Sequence, residues 1–287
     1  MIVNGCDCSI VIKTAYREFG VPYSEETIRE AVSLLQEQAS IEGNGVCKAI
    51  RKIDGVTGCV VTPLTIGTVP LLLYLAFGSA GMPLFVSETR NVYQYRLDLV
   101  PMEGGACFDL VQDRGGERQL FEGCRVKGFE LRFQRGETVH LKFDICGEVP
   151  PTVYGGNEKL GMRNEELFHG DFTSYRINGT EYKNIYGLTL LAKREGGTKT
   201  ELWIKRALKI GTDIPGIIDE LSITAQLLSN KYEYRHFGMF QITLKRLVLV
   251  SDETDIDCAD EVIGPLRYYV VGSVCAEVFT STGETIA

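Results

Sequence analysis

The chain has 287 residues and a formal net charge of −8, with 30 Lys and Arg against 38 Asp and Glu. This balance argues against DNA binding by phosphate neutralisation, which needs Lys and Arg concentrated on one face. The composition, 44% hydrophobic and 24% charged, is typical of a folded globular protein. The longest apolar run, VPLLLYLAF, falls far short of the roughly 20 residues of a membrane-spanning helix, and we expect no secretory signal.

Nine cysteines, an odd number, predict free thiols and a reducing compartment. Cys6 and Cys8 form a C-x-C pair with no second pair or histidine nearby, so a tetrahedral zinc site is not expected there. The cysteines in strand-like surroundings are interpreted as small buried hydrophobic residues: Cys59, Cys107, Cys124, Cys146 and Cys275.

The first predicted element is an amphipathic helix over residues 24–39, SEETIREAVSLLQEQA. Ser24 is its expected N-cap, and Gly43 and Gly45 are expected to end it. At helical spacing, one apolar face is formed by Ile28, Ala31, Val32 and Leu35.

Two further segments have helical character. TVPLLLYLAFGS, after Gly67, has Pro70 in its first turn and Gly78 at its end, and we expect a short buried helix there. The segment from Pro215, IPGIIDELSITAQLL, is a weaker helix candidate, because its β-branched residues leave a strand open.

The rest of the chain is predicted to be strands. The most regular stretch is residues 121–148, FEGCRVKGFELRFQRGETVHLKFDICGE, in which apolar and polar residues alternate on both sides of an Arg135-Gly136 turn. A period of two predicts an antiparallel hairpin that packs on one face. Similar patterns, with Gly-Gly turns at 115–116 and 196–197, occur at residues 94–100, 106–112, 187–193, 199–206, 239–250 and 267–280.

The predicted fold class is mainly β, an antiparallel β-sandwich or barrel with two or three short helices. We expect an N-terminal arm and helix (1–53), a first β-sandwich half (54–149), a linker or long loop (150–170) and a second half (171–287). An internal duplication is plausible, because a short stretch leads through a glycine into a strand in both halves.

No catalytic motif is present in the sequence. None of the three histidines, His140, His169 and His236, lies in a nucleophile context, and a surface or structural role is expected for each. There is no Walker loop and no G-x-G-x-x-G between a strand and a helix, so no cofactor is predicted. The chain is therefore not expected to be an enzyme.

Two other features of the sequence are given structural interpretations. The acidic segment SDETDIDCADE (251–261) does not have the spacing of a calcium loop, so a solvated loop is favoured over a metal site. Trp203 alternates with Leu202 and Ile204 in a strand and is interpreted as a core or subunit-interface residue.

In their order, the segments resemble the tail tube (major tail) proteins of tailed bacteriophages. The resemblance covers roughly residues 54–287. It rests on the entry segment Gly58 to Pro63, the apolar helix before the first strands, and the Gly123-Cys124-Arg125-Val126 step into a strand, turn and strand. The family pattern consists of element order with few invariant side chains.

The resemblance implies a virion structural protein of the tail, made in the host cytoplasm, that polymerises as stacked rings into a conduit for DNA ejection. Sheets would join between subunits, as trimeric rings if the fold is duplicated and as hexameric rings if it is not. The implied partners are copies of the chain, the tape-measure protein and passing double-stranded DNA in the lumen, and sheath, tail terminator and baseplate proteins. The net negative charge would keep DNA from adhering, and the acids expected to line the channel are Asp252, Glu253, Asp255 and Asp257.

Two alternatives stay open at this point. The same architecture could be the inner tube of a contractile injection or type VI secretion machine. From a different class, the chain could be a two-domain β-sandwich module that binds a ligand such as a carbohydrate, although a single Trp is a poor stacking platform.

Overall fold

The structure is a computed structural model and describes residues 8–15, 18–39, 46–87, 92–156, 165–207, 213–227, 237–252 and 262–281. Within these ranges the chain forms antiparallel strands and one α-helix, α1 (Val69–Phe77). This confirms the mainly β, sandwich-like class. No helix in the described ranges is both long enough and apolar enough to cross a membrane.

Twenty strands lie in the described ranges. Those before residue 150 are β1 (Cys8–Lys13), β2 (Glu18–Val21), β3 (Glu25–Glu26), β4 (Arg29–Ala39), β5 (Val46–Pro63), β6 (Gly78–Ala80), β7 (Leu84–Ser87), β8 (Val92–Leu99), β9 (Phe108–Arg114), β10 (Glu117–Gln134) and β11 (His140–Gly147). Those after it are β12 (Thr152–Val153), β13 (Thr173–Ile177), β14 (Thr180–Glu181), β15 (Ile185–Lys193), β16 (Lys199–Ala207), β17 (Ile217–Gln226), β18 (Gly238–Asp252), β19 (Val262–Val270) and β20 (Val274–Thr280).

The first sheet has the strand order β4-β5-β11-β10-β15-β16-β19, with β3 beside β5. The expected hairpin at its centre is confirmed, because Phe129 lies opposite Phe143 and Leu131 opposite Leu141. These side chains are buried, whereas Arg132 and Lys142 on the other face are exposed. Alternation along each strand therefore separates a core face from an outer face.

The second sheet has the order β14-β13-β17-β18-β20-β8. Strands β6 and β7 follow one another along the edge of β8 that faces away from β20, and each pairs with a different part of β8. Its buried side chains face those of the first sheet. The Phe240 ring of β18 lies 6.0 Å from Phe133 of β10 and 5.0 Å from Phe168, measured between ring centroids. Strands from both sides of residues 150–170 share these sheets, and the division into two halves stays a prediction.

The two sheets are joined through one long strand, β18. The first part of β18 pairs with β20 of the second sheet, and its last residues pair with β19 of the first sheet. At the crossing, Arg246 has φ of 56° and the Val271 N–H donates to its carbonyl oxygen at 2.8 Å. The single long strand expected at residues 267–280 is therefore two strands, because the chain bends there to change sheets.

A third, smaller sheet has the order β2-β1-β9-β10-β12 and uses the first part of β10. The Gly123-to-Val126 step lies where β10 leaves this sheet and enters the first one. Gly123 has φ of 65°, and its N–H donates to the Asp109 carboxylate at 2.9 Å. This glycine allows a bulge that an L side chain would strain.

The helix predicted at residues 24–39 is wrong. The segment forms β3 and β4, and β4 pairs with β5 along its whole length, from Arg29 opposite Thr57 to Ala39 opposite Val46. Ser24 extends this pairing by donating its N–H to Val61 O at 2.8 Å, so it caps no helix. Helical periodicity in a short segment is a weak signal, and a partner strand nearby in the chain overrides it. Gly43 and Gly45 lie outside the described residues.

The β4–β5 hairpin extends beyond the body of the protein as an arm, formed by residues 32–39 and 46–53. In the described structure, β5 pairs with β11 only from Val56 onwards, and the arm strands pair with each other alone. At the rise of a strand, eight residues span about 26 Å. Residues 32–39 and 46–53 thus form a two-stranded ribbon, and the N-terminal arm expected over residues 1–53 stays a prediction.

The weaker helix candidate after Pro215 is the strand β17, the possibility that its β-branched residues left open. The second candidate is confirmed as α1, with Pro70 in its first turn and Gly78 as its left-handed C-cap at φ of 93°. Eight of its nine residues are buried, all but Tyr74. The helix packs against β8, β6 and β20 of the second sheet and β10 of the first. It fills the space where the sheets diverge.

Two charged side chains from distant parts of the sequence hold the ends of α1. At its start, Glu165 accepts hydrogen bonds from the Thr65 hydroxyl at 2.6 Å and the Gly67 N–H at 2.9 Å. At its end, the Arg194 guanidinium, 1% exposed, donates to Leu75 O at 3.1 Å. A carboxylate at the N-terminus and a cation at the C-terminus both oppose the helix dipole.

Arg194 also connects the helix by hydrogen bonds to both sheets and to the loop that follows β8. Its guanidinium donates to Val126 O at 3.0 Å, Val100 O at 2.8 Å and Pro101 O at 3.4 Å. Burial, together with the nearby charge of Arg125, lowers the pKa of Arg194 to about 10, so it stays charged at neutral pH. One side chain thus donates to four carbonyl groups, and its hydrogen bonds to Leu75 O and Val126 O are buried.

Replacing Arg194 tests this arrangement. Arg194→Leu leaves these buried carbonyls without donors, at about 1–3 kcal/mol for each unsatisfied group, and we expect a loss of at least about 3 kcal/mol in the free energy of unfolding. Urea denaturation measures it. The control is Arg132→Leu, whose ion pair with Glu130 at 2.7 Å lies at the surface and is worth about 0–1 kcal/mol. Equal stability of the two variants would contradict the structural role of Arg194.

Candidate assembly surfaces

The structure describes one of the four acids expected to line a channel. Asp252 ends β18, and its carboxylate lies 3.7 Å from an Arg206 nitrogen, while Asp213 lies 3.7 Å from another nitrogen of the same guanidinium. Glu253, Asp255 and Asp257 lie outside the described residues. Asp252 is thus engaged by a cation at the end of β16, on the side of the first sheet.

The histidines with described positions make local contacts. His140 Nδ1 lies 2.9 Å from Thr138 O on the outer side of β11, and His169 accepts from the Asp171 N–H at 3.3 Å at the start of a 3₁₀ turn. His236 lies outside the described residues. In the part of the chain that the structure describes, no three His, Cys, Asp or Glu side chains are grouped to hold a metal ion.

The cysteines follow the sequence interpretation only in part. Cys124 is buried as expected, whereas Cys107 is exposed, so the buried interpretation of Cys107 is wrong. Cys59, Cys146 and Cys275 are partly buried. Alternation along a strand shows which side chains share a face. Only the register of the strand in the sheet shows which of the two faces is buried.

The outer face of the first sheet is aromatic and cationic. Trp203, expected in the core or at an interface, is partly exposed here, and the Arg267 guanidinium lies 5.3 Å from its ring and 5.5 Å from that of Tyr269. Arg267 also donates to Glu201 at 2.9 Å, while Trp203 Nε1 is buried without a hydrogen-bond acceptor. We call Trp203, Arg267 and Tyr269 the aromatic face. Trp, Tyr and Arg are the residues most enriched at the centres of protein interfaces.

The outer face of the second sheet has a different chemistry. The cross-strand registers place Ser174, Thr224 and Gln241 in one row, and Ser222 and Thr243 in the next. All five side chains are partly exposed and uncharged. We call these residues the neutral face.

The far edge of the second sheet ends in an apolar margin formed by Met82, Leu84, Phe85 and Val86. Each of these side chains is more than half exposed. Among the described strands, β7 pairs with β8 alone, so its other edge has no partner. An exposed apolar edge strand is a template for pairing with another chain. Sequence reasoning missed this margin, although its signal is the run MPLFV.

Burial raises the pKa of the Cys124 thiol to about 12, so almost no thiolate forms there at neutral pH. We therefore expect iodoacetamide to alkylate the exposed Cys107 in the native protein and to leave Cys124 unmodified, as peptide mass spectrometry would show. In denaturant both should react. Rapid native alkylation of Cys124 would show that β10 is not packed as described.

Comparison of the sequence with protein-family models and with curated proteins finds no match. The functional argument therefore rests on the surfaces of the chain itself.

Proposed function

We propose that this chain is a structural protein of the bacteriophage virion, whose copies assemble into stacked rings that form the tail tube and conduct DNA during ejection. The observation that carries the proposal is the apolar margin. In a monomer it exposes four large hydrophobic side chains beside a strand edge that no other described strand pairs with. Pairing with a second copy would bury both.

The arm supports the same assignment. A two-stranded ribbon is at best marginally stable alone in water. The β4–β5 arm nevertheless extends about eight residues beyond the strand that anchors it. Docking on a neighbouring copy, within the ring or in the next one, would give its two faces a packing surface.

The aromatic face offers a further contact between proteins. It combines an Arg guanidinium that lies 5.3 Å and 5.5 Å from two aromatic ring centroids with a buried indole N–H that has no acceptor among the described residues. Groups of this kind serve as interface anchors once they are desolvated. A purely structural role also agrees with the absence of a catalytic motif in the sequence.

Negative-stain electron microscopy of the purified protein at high concentration tests the proposal. We expect rings or hollow tubes. Uniform single particles under conditions in which the protein is folded would overturn it.

A substitution in the apolar margin tests the observation that carries the proposal. Phe85→Lys places a charge on the edge strand, and we expect it to raise the concentration needed for assembly about 30-fold, as for an interface hot spot worth about 2 kcal/mol. Sedimentation velocity measures the assembly and circular dichroism the fold.

The matched control is Val153→Lys. Val153 is 92% exposed on the edge strand β12 of the small sheet, and the proposal gives it no role in assembly. Assembly of Phe85→Lys at the same concentration as Val153→Lys would show that the apolar margin is not a subunit contact.

A further inference from the structure

We propose that the outer face of the first sheet binds a neutral carbohydrate, with one sugar ring packed on Trp203 and its hydroxyl groups bonded to the ion pairs on either side. This inference goes beyond the proposed function and does not depend on it. Its basis is a pocket of about 200 Å³ on this face, which is lined by Glu130, Thr189, Leu191, Trp203, Lys205 and Pro265.

The cross-strand registers bring the pocket together from neighbouring strands. Thr189 of β15 lies opposite Trp203 of β16. Leu191 of β15 lies opposite Glu130 of β10 on one side and opposite Glu201 of β16 on the other. All five side chains point outward and are partly exposed. The indole and the leucine give the pocket an apolar part between polar groups, which is the general form of a site for a small ligand.

The size of the pocket and the exposed part of Trp203 suit a single sugar ring. A volume of about 200 Å³ is smaller than the roughly 300–1,000 Å³ of sites for drug-sized ligands. Because Nε1 of Trp203 is buried, the part of the indole that the ligand can reach is carbon. A pyranose has C–H groups on one face, and these pack favourably on an indole, whose ring face is electron-rich. The hydroxyl groups of the sugar then lie at its rim.

Two ion pairs stand where these hydroxyl groups would lie. Arg132 donates to Glu130 at 2.7 Å, and Arg267 donates to Glu201 at 2.9 Å. Both arginines belong to the same cross-strand row as Trp203. A hydroxyl group donates one hydrogen bond and accepts others, so a carboxylate beside a guanidinium offers it both kinds of partner. Hydrogen bonds to charged groups are roughly twice as strong as those between neutral groups.

The charge at the pocket favours a neutral ligand over a nucleic acid or an acidic glycan. The charges of the two ion pairs cancel. Lys205 is the one further charged residue among those that line the described pocket. A polyanion is held by several cations whose charge is not already neutralised, and the pocket does not offer such a group.

A second aromatic ring extends the site beyond the pocket. Tyr269, 44% exposed, lies opposite Glu201, while Arg267 lies opposite Trp203. Tyr269 and Trp203 are therefore diagonal neighbours, about 7–8 Å apart on an antiparallel sheet. The Arg267 guanidinium lies 5.3 Å and 5.5 Å from the two ring centroids. The single Trp of the sequence thus has a partner ring that only the fold reveals, and two units of an oligosaccharide can contact the two rings.

Saturation-transfer-difference NMR of the dilute full-length chain tests the site, with maltotriose, cellotriose and triacetylchitotriose as probes. We expect at least one of these neutral trisaccharides to bind. Trp203→Ala should weaken that binding about 10-fold, a change of about 1.4 kcal/mol. Glu130→Gln keeps the shape of the side chain and removes its charge, and we expect it to weaken binding about fivefold. Circular dichroism checks the fold, and Glu130→Gln decides if Trp203→Ala does not fold.

Val153→Ala is the control, because it removes an exposed apolar side chain from the small sheet and should leave binding unchanged. Failure of all three probes to bind, or equal binding by Val153→Ala and the two pocket variants, would overturn the proposal. A sugar and a protein partner would exclude one another at Trp203. Assembly that depends on Trp203 while no probe binds would therefore assign this face to a protein and overturn the sugar site. The NMR measurement uses dilute protein, so its result is independent of whether rings or tubes form.

Discussion

The buried helix α1, with a carboxylate at one end and a guanidinium at the other, is the constraint on which the rest of the structure depends. Its apolar surface fills the space between diverging sheets, and Glu165 and Arg194 satisfy polar groups at its termini. Such groups would otherwise be costly to bury. Because this helix covers the core beneath β6 and β8, the sandwich need not close its second sheet to stay folded.

In the proposed tube, that arrangement would separate the folding of one chain from the contacts between copies. The described core of one chain is joined by aromatic contacts between α1 and the first sheet, Phe77 on Phe129 at 5.4 Å, and between the two sheets, Phe133 near Phe240 at 6.0 Å. The margins of the second sheet lie outside it and stay available to other copies. The outer surfaces of the two sheets differ. Aromatic and cationic groups lie on the first sheet, and hydroxyl and amide groups lie on β17 and β18 of the second sheet, among charged side chains of both signs.

Local patterns in the sequence predicted those elements whose determinants lie close together in the chain. The hairpin of β10 and β11 follows from its period of two, and α1 follows from an apolar run between Pro70 and Gly78. The helix predicted at residues 24–39 is wrong because its spacing fits a helix face as well as a strand, and the strand that decides, β5, begins only at Val46. Short apolar segments are ambiguous in this way.

The features that matter most for function could not be found from local pattern. Arg194 stands beside a Gly-Gly turn, and in the sequence it is indistinguishable from a solvated charge. In the sequence, the apolar margin resembles a buried strand. Only the arrangement of the sheet shows that no described residue covers it. The acids expected to line a channel are close together in the sequence, yet Asp252 contacts Arg206 on the side of the first sheet. Each of these properties depends on contacts between residues that are far apart in the sequence.

Amide hydrogen exchange of residues 81–87, compared between dilute and assembled protein, tests most directly whether copies complete one another's sheets. If the free edge of β7 pairs with a neighbouring copy, its exchange slows on assembly, while exchange of the β12 peptide around residues 152–153 stays the same. Unchanged exchange at residues 81–87 in assembled particles would contradict the account, because the margin would then have gained no partner.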